Sequence, residues 1–174
     1  MNDQAQPTAT SRHHLGGQRA IGFFVLSVSD THTEEDDISG HLARDLIAQA
    51  GHRVVHYDLV ANSVADVRDK LEPFLSEIPV EAGVTVGGTG VSSRDLTVNA
   101  LEVMGGKPLE GFGQLYRQLS FDEVGPLALM SRAGLFLVKG KPVFALPGSE
   151  RAVRTAVQKL ILPAVQHLVE ELER

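Results

Sequence analysis

The sequence predicts an α/β protein built on a mainly parallel sheet with helices on both faces. Apolar segments of strand length alternate with segments of helical periodicity, which is the pattern of repeated β-α units. The first such strand, Ile21-Gly22-Phe23-Phe24-Val25-Leu26, is apolar almost throughout, as strands buried on both faces are. A third segment, Val84-Thr85-Val86, runs straight into Gly87-Gly88-Thr89-Gly90. In open α/β sheets ligands bind at such turns, beyond the carboxyl ends of the strands.

The elements follow in order. Residues 1–19 are polar, with Pro7, Gly16, Gly17 and the pair His13-His14, and read as a disordered leader. Ordered structure is expected over 20–174 as a single domain. After the first strand and the polar loop Ser27 to Asp37, a helix fits Ser39 to Ala50. It has Leu42, Leu46 and Ile47 on one face and Gly51 as its stop. Arg53 to Val60 reads as the second strand, and Val64 to Glu77 as a helix with Val67, Leu71, Phe74 and Leu75 on its apolar side. Pro79 punctuates before the strand that ends in the glycine turn. Helices are expected near Thr97 to Met104 and Phe112 to Ser120. Strands follow at Ala133 to Val138 and Val143 to Leu146, joined by a turn over Lys139 to Pro142. The last helix starts near Glu150 and runs to the C-terminus, with Pro163 expected to kink it.

Composition narrows the function. The chain has 174 residues, 43% hydrophobic and 22% charged, with a net charge of −6. No basic run resembles a nucleic-acid footprint. The absence of cysteine excludes disulfides, zinc-thiolate sites and thiol catalysis. No apolar stretch reaches the length of a membrane span, and the leader lacks a signal-peptide core, so a cytoplasmic location is expected. His41, His52, His56 and His167 show no metal-ligand spacing and read as ordinary surface or strand residues.

If the strands are parallel, three loops crowd one edge. Gly87 to Gly90 offers backbone donors, because glycine accepts positive φ and lets amides converge on an anion. Arg94 and Asp95 lie just beyond, a guanidinium for phosphate and a carboxylate for a metal. The loop after the first strand carries Ser27, Ser29, Asp30 and the run Glu34 to Asp37. The loop after the last strand, Pro147-Gly148-Ser149, opens a helix. Each piece also has a plainer local role: Asp37 or Ser39 as an N-cap, Ser149 as a cap, Arg132 as partner of a surface acid. Together they point to a phosphate-bearing ligand.

These residues resemble the MoaB/MogA family of molybdenum-cofactor biosynthesis. The matching motifs are Ser27-Val28-Ser29-Asp30, Asp37-Ile38-Ser39-Gly40, Gly87 to Gly90, Arg94-Asp95-Leu96-Thr97, Glu110-Gly111-Phe112-Gly113, Arg117, Ser131-Arg132 and Leu146 to Ser149, in the family's order over residues 21–170. Glu35-Asp36-Asp37 and Leu119-Ser120-Phe121 resemble MoaB more than MogA. The resemblance implies a three-layer α/β/α fold assembled as a homo-trimer or homo-hexamer. It also implies Mg-ATP-dependent adenylylation of molybdopterin with release of pyrophosphate, and partners among other molybdenum-cofactor biosynthesis proteins. Carried over by motif, Asp95 is the essential acid and Mg²⁺ ligand. Ser27, Ser29, Asp30, Asp37, Ser39, Gly40, Gly87, Gly88, Thr89, Gly90, Arg94, Ser131, Pro147, Gly148 and Ser149 line the molybdopterin and nucleotide sites. The chain departs from the adenylylating pattern in two places. Asn62 stands where a second acid is common, with Asp58 and Asp66 nearby, and Gln114 stands where an acid is frequent. A non-catalytic molybdopterin-binding or carrier protein is the alternative.

Overall fold

The structure, a computed structural model, describes residues 19–77 and 79–174. Most of the expected leader, with His13 and His14, lies outside the described residues. Arg19, the last residue of that leader, pairs with Glu81 and Glu173.

One six-stranded sheet organises the described chain, in the order β2-β1-β3-β6-β5-β4. Strands β1 (Gly22–Val28), β2 (Arg53–Val60), β3 (Ala82–Val86) and β6 (Lys141–Leu146) run parallel to their neighbours within that group. Strands β5 (Gly134–Val138) and β4 (Lys107–Leu109) extend the sheet antiparallel at one side. The helices are α1 (Ile38–Gln49), α2 (Val64–Ser76), α3 (Thr97–Val103), α4 (Glu110–Val124), α5 (Glu150–Ala156) and α6 (Leu162–Leu172).

Strand alternation sorts the side chains into two cores. Phe23 and Val25 of β1, Val84 and Val86 of β3, and Phe144 and Leu146 of β6 meet Ala43, Leu46 and Ile47 of α1, with Phe112 and Tyr116 of α4 and the apolar side of α5 and α6. Phe24, Leu26 and Val28 of β1 point the other way, against Val67, Leu71 and Phe74 of α2 and Val98 and Leu101 of α3. The result is the expected three-layer α/β/α arrangement.

Three details differ from the sequence reading. Strand β4 was not anticipated. Its Pro108 has no N–H to donate, which a strand tolerates at a sheet edge, the place β4 holds. The turn between β5 and β6 is shorter than four residues. Lys139 (φ 52°) and Gly140 (φ 78°) alone make it, both left-handed as a type I′ hairpin turn requires, while Lys141 and Pro142 already pair with Val138 and Leu137. The C-terminal helix is broken by a π-helical stretch, Val157–Ile161, closed by the Leu162 N–H donating to the Val157 carbonyl. It ends just before Pro163, whose missing N–H and bulky ring disrupt the regular ladder of the preceding turn.

The packing is tight enough to select glycine at one strand position. A Cβ on Gly83 of β3 would land on the Phe24 ring, which itself lies 5.6 Å from the ring of Phe74. Gly83→Ala is expected to lower stability by about 1–3 kcal/mol through overpacking. Pairing it with Phe24→Leu should recover part of that loss, as read from urea denaturation of the double variant against both singles.

Candidate functional site

Because β1, β3 and β6 are parallel neighbours, the loops that follow them leave at the same edge. They enclose an open cleft of about 640 Å³ lined by Ser27, Ser29, Asp30, Asp37, Ser39, Gly87, Gly88, Arg94, Asp95, Gly148 and Ser149. Eleven of the residues expected at the site therefore share one wall-to-wall space. Four others, Thr89, Gly90, Ser131 and Pro147, line a smaller neighbouring cavity of about 250 Å³, to which Ser149 also contributes. Gly40 lines neither. It is buried behind the cleft, where any Cβ would run into the Asp37 carboxylate and the Ser27 hydroxyl.

The glycine loop is shaped by close approach. Gly87 (φ 103°) lies against the Val28 carbonyl of β1, and its own N–H donates to Leu146 of β6 at 2.9 Å. Gly88 (φ 65°) lies against Thr97, and a Cβ there would also stand 2.8 Å from Asn62 Oδ1. Thr97 secures both peptides: its hydroxyl donates to the Gly87 carbonyl at 2.8 Å and its N–H to Gly88 at 3.1 Å. Among the described residues the N–H groups of Gly88, Thr89 and Gly90 donate no hydrogen bond, although all three carbonyls accept one. Thr89 is 2% exposed, and its buried hydroxyl has no hydrogen-bond partner.

A chain of hydrogen bonds ties the loops to one another. Ser39 donates to the Gly148 carbonyl at 2.7 Å, joining the first loop to the third. Asp30 accepts from the Asn62 N–H at 2.8 Å, and Asn62 Oδ1 accepts from the Leu96 N–H at 3.1 Å, joining the first loop to the segment after the glycines. Asp95 Oδ2 accepts from the Ser92 N–H at 2.9 Å. Arg132 does not meet a surface acid. Its guanidinium donates to the carbonyls of Gly90 (3.0 Å) and Asp95 (2.6 Å).

The local roles left open by the sequence are now assigned. Asp37, not Ser39, is the N-cap of α1: Oδ1 accepts from the Gly40 N–H at 3.0 Å and Oδ2 from the Tyr57 hydroxyl at 2.7 Å. Burial, reinforced by that bond to Asp37, raises the Tyr57 pKa above the ordinary phenol range. Ser149 caps α5, accepting from Ala152 at 3.3 Å, while still facing the cleft. Asp36 also lines the cleft, and the Thr33 N–H at 2.6 Å holds its carboxyl below the usual range. Asp58 pairs with Lys70, and Asp66 accepts from the Ser63 hydroxyl at 2.5 Å. Neither lines the cleft. Gln114 is exposed on α4 and lines neither space.

Sequence reading did not mark Tyr57, His32 or Thr31, which complete this edge. Ser29 Oγ accepts from the N–H groups of Thr31 and His32 and lies 2.9 Å from His32 Nδ1. A Ser-x-Thr-His turn has no fixed chemical meaning, so nothing in the linear pattern singles it out. No group of three or more His, Cys, Asp and Glu side chains with metal-site geometry occurs among the described residues. The oxygen donors that face the cleft, Asp95 foremost, suit a hard cation such as Mg²⁺, which commonly takes one or two carboxylates and completes its shell with phosphate and water.

Fold and site together define a class: an α/β protein with a glycine loop opening on a cleft at the carboxyl ends of parallel strands. Comparison with known proteins makes this specific. Residues 24–167 match the model of a family described as a probable molybdopterin binding domain. Molybdenum cofactor biosynthesis protein B of Bacillus cereus is 35% identical over 95% of this chain and 99% of its own length, and that of Staphylococcus carnosus 40% identical over 90% and 93%. A crystal structure of molybdenum cofactor biosynthesis protein B superposes with a TM-score of 0.87 at 37% identity, covering 91% of this chain and 99% of that one. The tungsten cofactor synthesizing protein MoaB from Pyrococcus furiosus gives 0.79 at 29% identity, covering 91% and 100%. The chain belongs to the MoaB/MogA family, on its MoaB side, and its role lies in molybdenum cofactor biosynthesis. Among the described residues no helix is long and apolar enough to cross a membrane.

Two expectations follow from this geometry. Gly88→Val should abolish ligand binding at the cleft, read by isothermal titration with a phosphate-bearing ligand, while leaving the circular dichroism spectrum unchanged, because the side chain meets Thr97 and Asn62 at a left-handed backbone. The Tyr57–Asp37 bond should also be visible at high pH. A phenol whose pKa is raised on folding contributes stability that is complete below the unfolded value, about 10, and is lost as pH rises through the higher folded value. Wild-type stability should therefore fall more steeply above that pH than that of Tyr57→Phe, measured by denaturant midpoints across the alkaline range.

Proposed function

We propose that the protein adenylylates molybdopterin with Mg-ATP, giving adenylyl-molybdopterin and pyrophosphate. The observation that carries this reading is the meeting of Gly87, Gly88, Arg94 and Asp95 with Ser29, Asp30 and Ser149 in one cleft. An oxygen of the molybdopterin phosphate attacks the α-phosphorus of ATP, the bond from that phosphorus to the bridging oxygen breaks, and pyrophosphate leaves. No side-chain nucleophile is required, in keeping with a cleft that offers donors and carboxylates.

The chain's own residues supply position and charge. The amides of Gly88, Thr89 and Gly90 and the Arg94 guanidinium hold phosphate oxygens, and the α5 N-terminus behind Ser149 adds its dipole. The smaller cavity, with apolar Val124, Leu127, Ala128 and Met130, suits a flat heterocycle joined to the cleft past Ser149. Asp95 would hold Mg²⁺, which would supply neutralisation of charge on the polyphosphate. A homo-trimer or homo-hexamer is the proposed assembly, supported by exposed apolar side chains on one stretch: Phe121 (56%), Leu127 (62%), Leu129 (81%) and Met130 (53%).

One observation favours a second reading, a non-catalytic molybdopterin carrier. Asn62, at the place of the second acid, spends its carbonyl oxygen on the Leu96 N–H, so it acts as a strut and brings no charge. Incubation with molybdopterin, ATP and Mg²⁺ followed by product analysis separates the two. Adenylyl-molybdopterin should form with the wild type and fall at least about 100-fold with Asp95→Asn. Tight molybdopterin binding with no product from either would establish the carrier.

A further inference from the structure

Arg132 lines neither the cleft nor the smaller cavity, yet its hydrogen bonds reach the loop that carries Asp95. Nε donates to the Gly90 carbonyl at 3.0 Å, and Nη2 donates to the Asp95 carbonyl at 2.6 Å and to Asn99 Oδ1 at 2.9 Å. Its backbone N–H donates to the Thr89 carbonyl at 2.8 Å. One guanidinium thus bridges the two ends of the segment Gly90 to Asp95.

That segment has little else to hold it. Val91, Ser92, Ser93 and Arg94 are exposed, Val91 at 67%, so no apolar burial determines where they lie. Inside the segment Asp95 turns back on Ser92, accepting the Ser92 N–H at its carboxylate and donating its own N–H to the Ser92 carbonyl at 3.0 Å. The orientation of the Asp95 carboxylate therefore follows the turn, and the two ends of the segment that contains the turn, Gly90 and Asp95, follow Arg132. A planar fork spans two carbonyls at once; a lysine ammonium, a point donor, does not reproduce that geometry. Ser131, the preceding residue, walls the smaller cavity, so the same short stretch joins both ligand spaces.

We infer that Arg132 is a positioning residue that sets the Asp95 carboxylate for the transfer step by clamping the ends of the Gly90–Asp95 loop. The inference rests on the adenylylation reading for its kinetic consequence and on the loop geometry for its structural one, and the test reads both.

In the full-length protein, Arg132→Met should lower kcat about 100-fold, the scale of a misplacement near 1 Å, with the KM for ATP changed by less than about threefold. Arg132→Lys should fall between wild type and Arg132→Met. Added ethylguanidinium should restore part of the turnover of Arg132→Ala and none to the wild type. Amide hydrogen exchange should quicken at Ser92 and Asp95 in Arg132→Met while the sheet amides stay protected. Wild-type kcat in Arg132→Met, or a loss carried by KM alone, would overturn the positioning role. If the wild type itself yields no product, the adenylylation reading fails and the exchange data decide the clamp: faster exchange at Ser92 and Asp95 upholds it, unchanged exchange removes it.

Discussion

The close backbone approach at the end of β3 is the constraint on which the rest depends. Gly87 is hydrogen-bonded to β6 through Leu146 while lying against the Val28 carbonyl of β1. Three parallel strands thus end at one point, with no room for a side chain between them. From that point the chain must turn through two left-handed glycines, which aims the following amides outward from the sheet edge. The two-faced burial of β1 and β3 makes this edge rigid, since neither strand can shift without exposing Phe23 and Val25 on one side or Phe24 and Leu26 on the other.

Much of the arrangement is legible in the linear chain. The continuous apolar run of β1 marks a strand covered on both faces, and the helical spacing of Val67, Leu71 and Phe74 marks the layer that covers one of them. Parallel order then brings Ser29, Gly88, Asp95 and Ser149 to one edge by topology alone. What is not legible depends on contacts across the sheet. Strand β4 is three residues long and carries a proline, so no local propensity announces it. The π-helical turn arises from the clash of Pro163 with the preceding turn, and its register is set by packing. The division of the site also escaped the sequence. Ser131 and Pro147 share a motif set with Ser29 and Asp95, yet they face the smaller cavity.

Side chains read from sequence as ligand groups prove to be of two kinds. Asp37 has both carboxylate oxygens occupied, by the Gly40 amide and the Tyr57 hydroxyl. Ser39 donates its hydroxyl proton to the Gly148 carbonyl, and Asp30 accepts the Asn62 N–H at one oxygen. These bonds tie the loops together and give the cleft its shape. Arg94 stands apart: its side chain is exposed, and its backbone N–H donates to the Ser92 hydroxyl at 3.3 Å. A motif therefore mixes groups that hold the frame with groups that face the ligand, and only the hydrogen-bond partners separate them.

The chain's charge explains why the frame is so heavily tied. At a net charge of −6 the long-range field repels a polyphosphate, and salt screens that field beyond about 8–10 Å in any case. Affinity for an anion must then come from donors within hydrogen-bond reach, whose strength falls steeply with distance and angle. A loop displaced by an ångström would lose its amides as ligands while the repulsion remained. Thr97, Asn62 and Arg132 all bond to the backbone on either side of the glycine loop's exposed stretch. On the proposed reading, in which an acidic protein takes a phosphate by backbone donors, those ties hold the donors in place, and the glycines alone would not suffice.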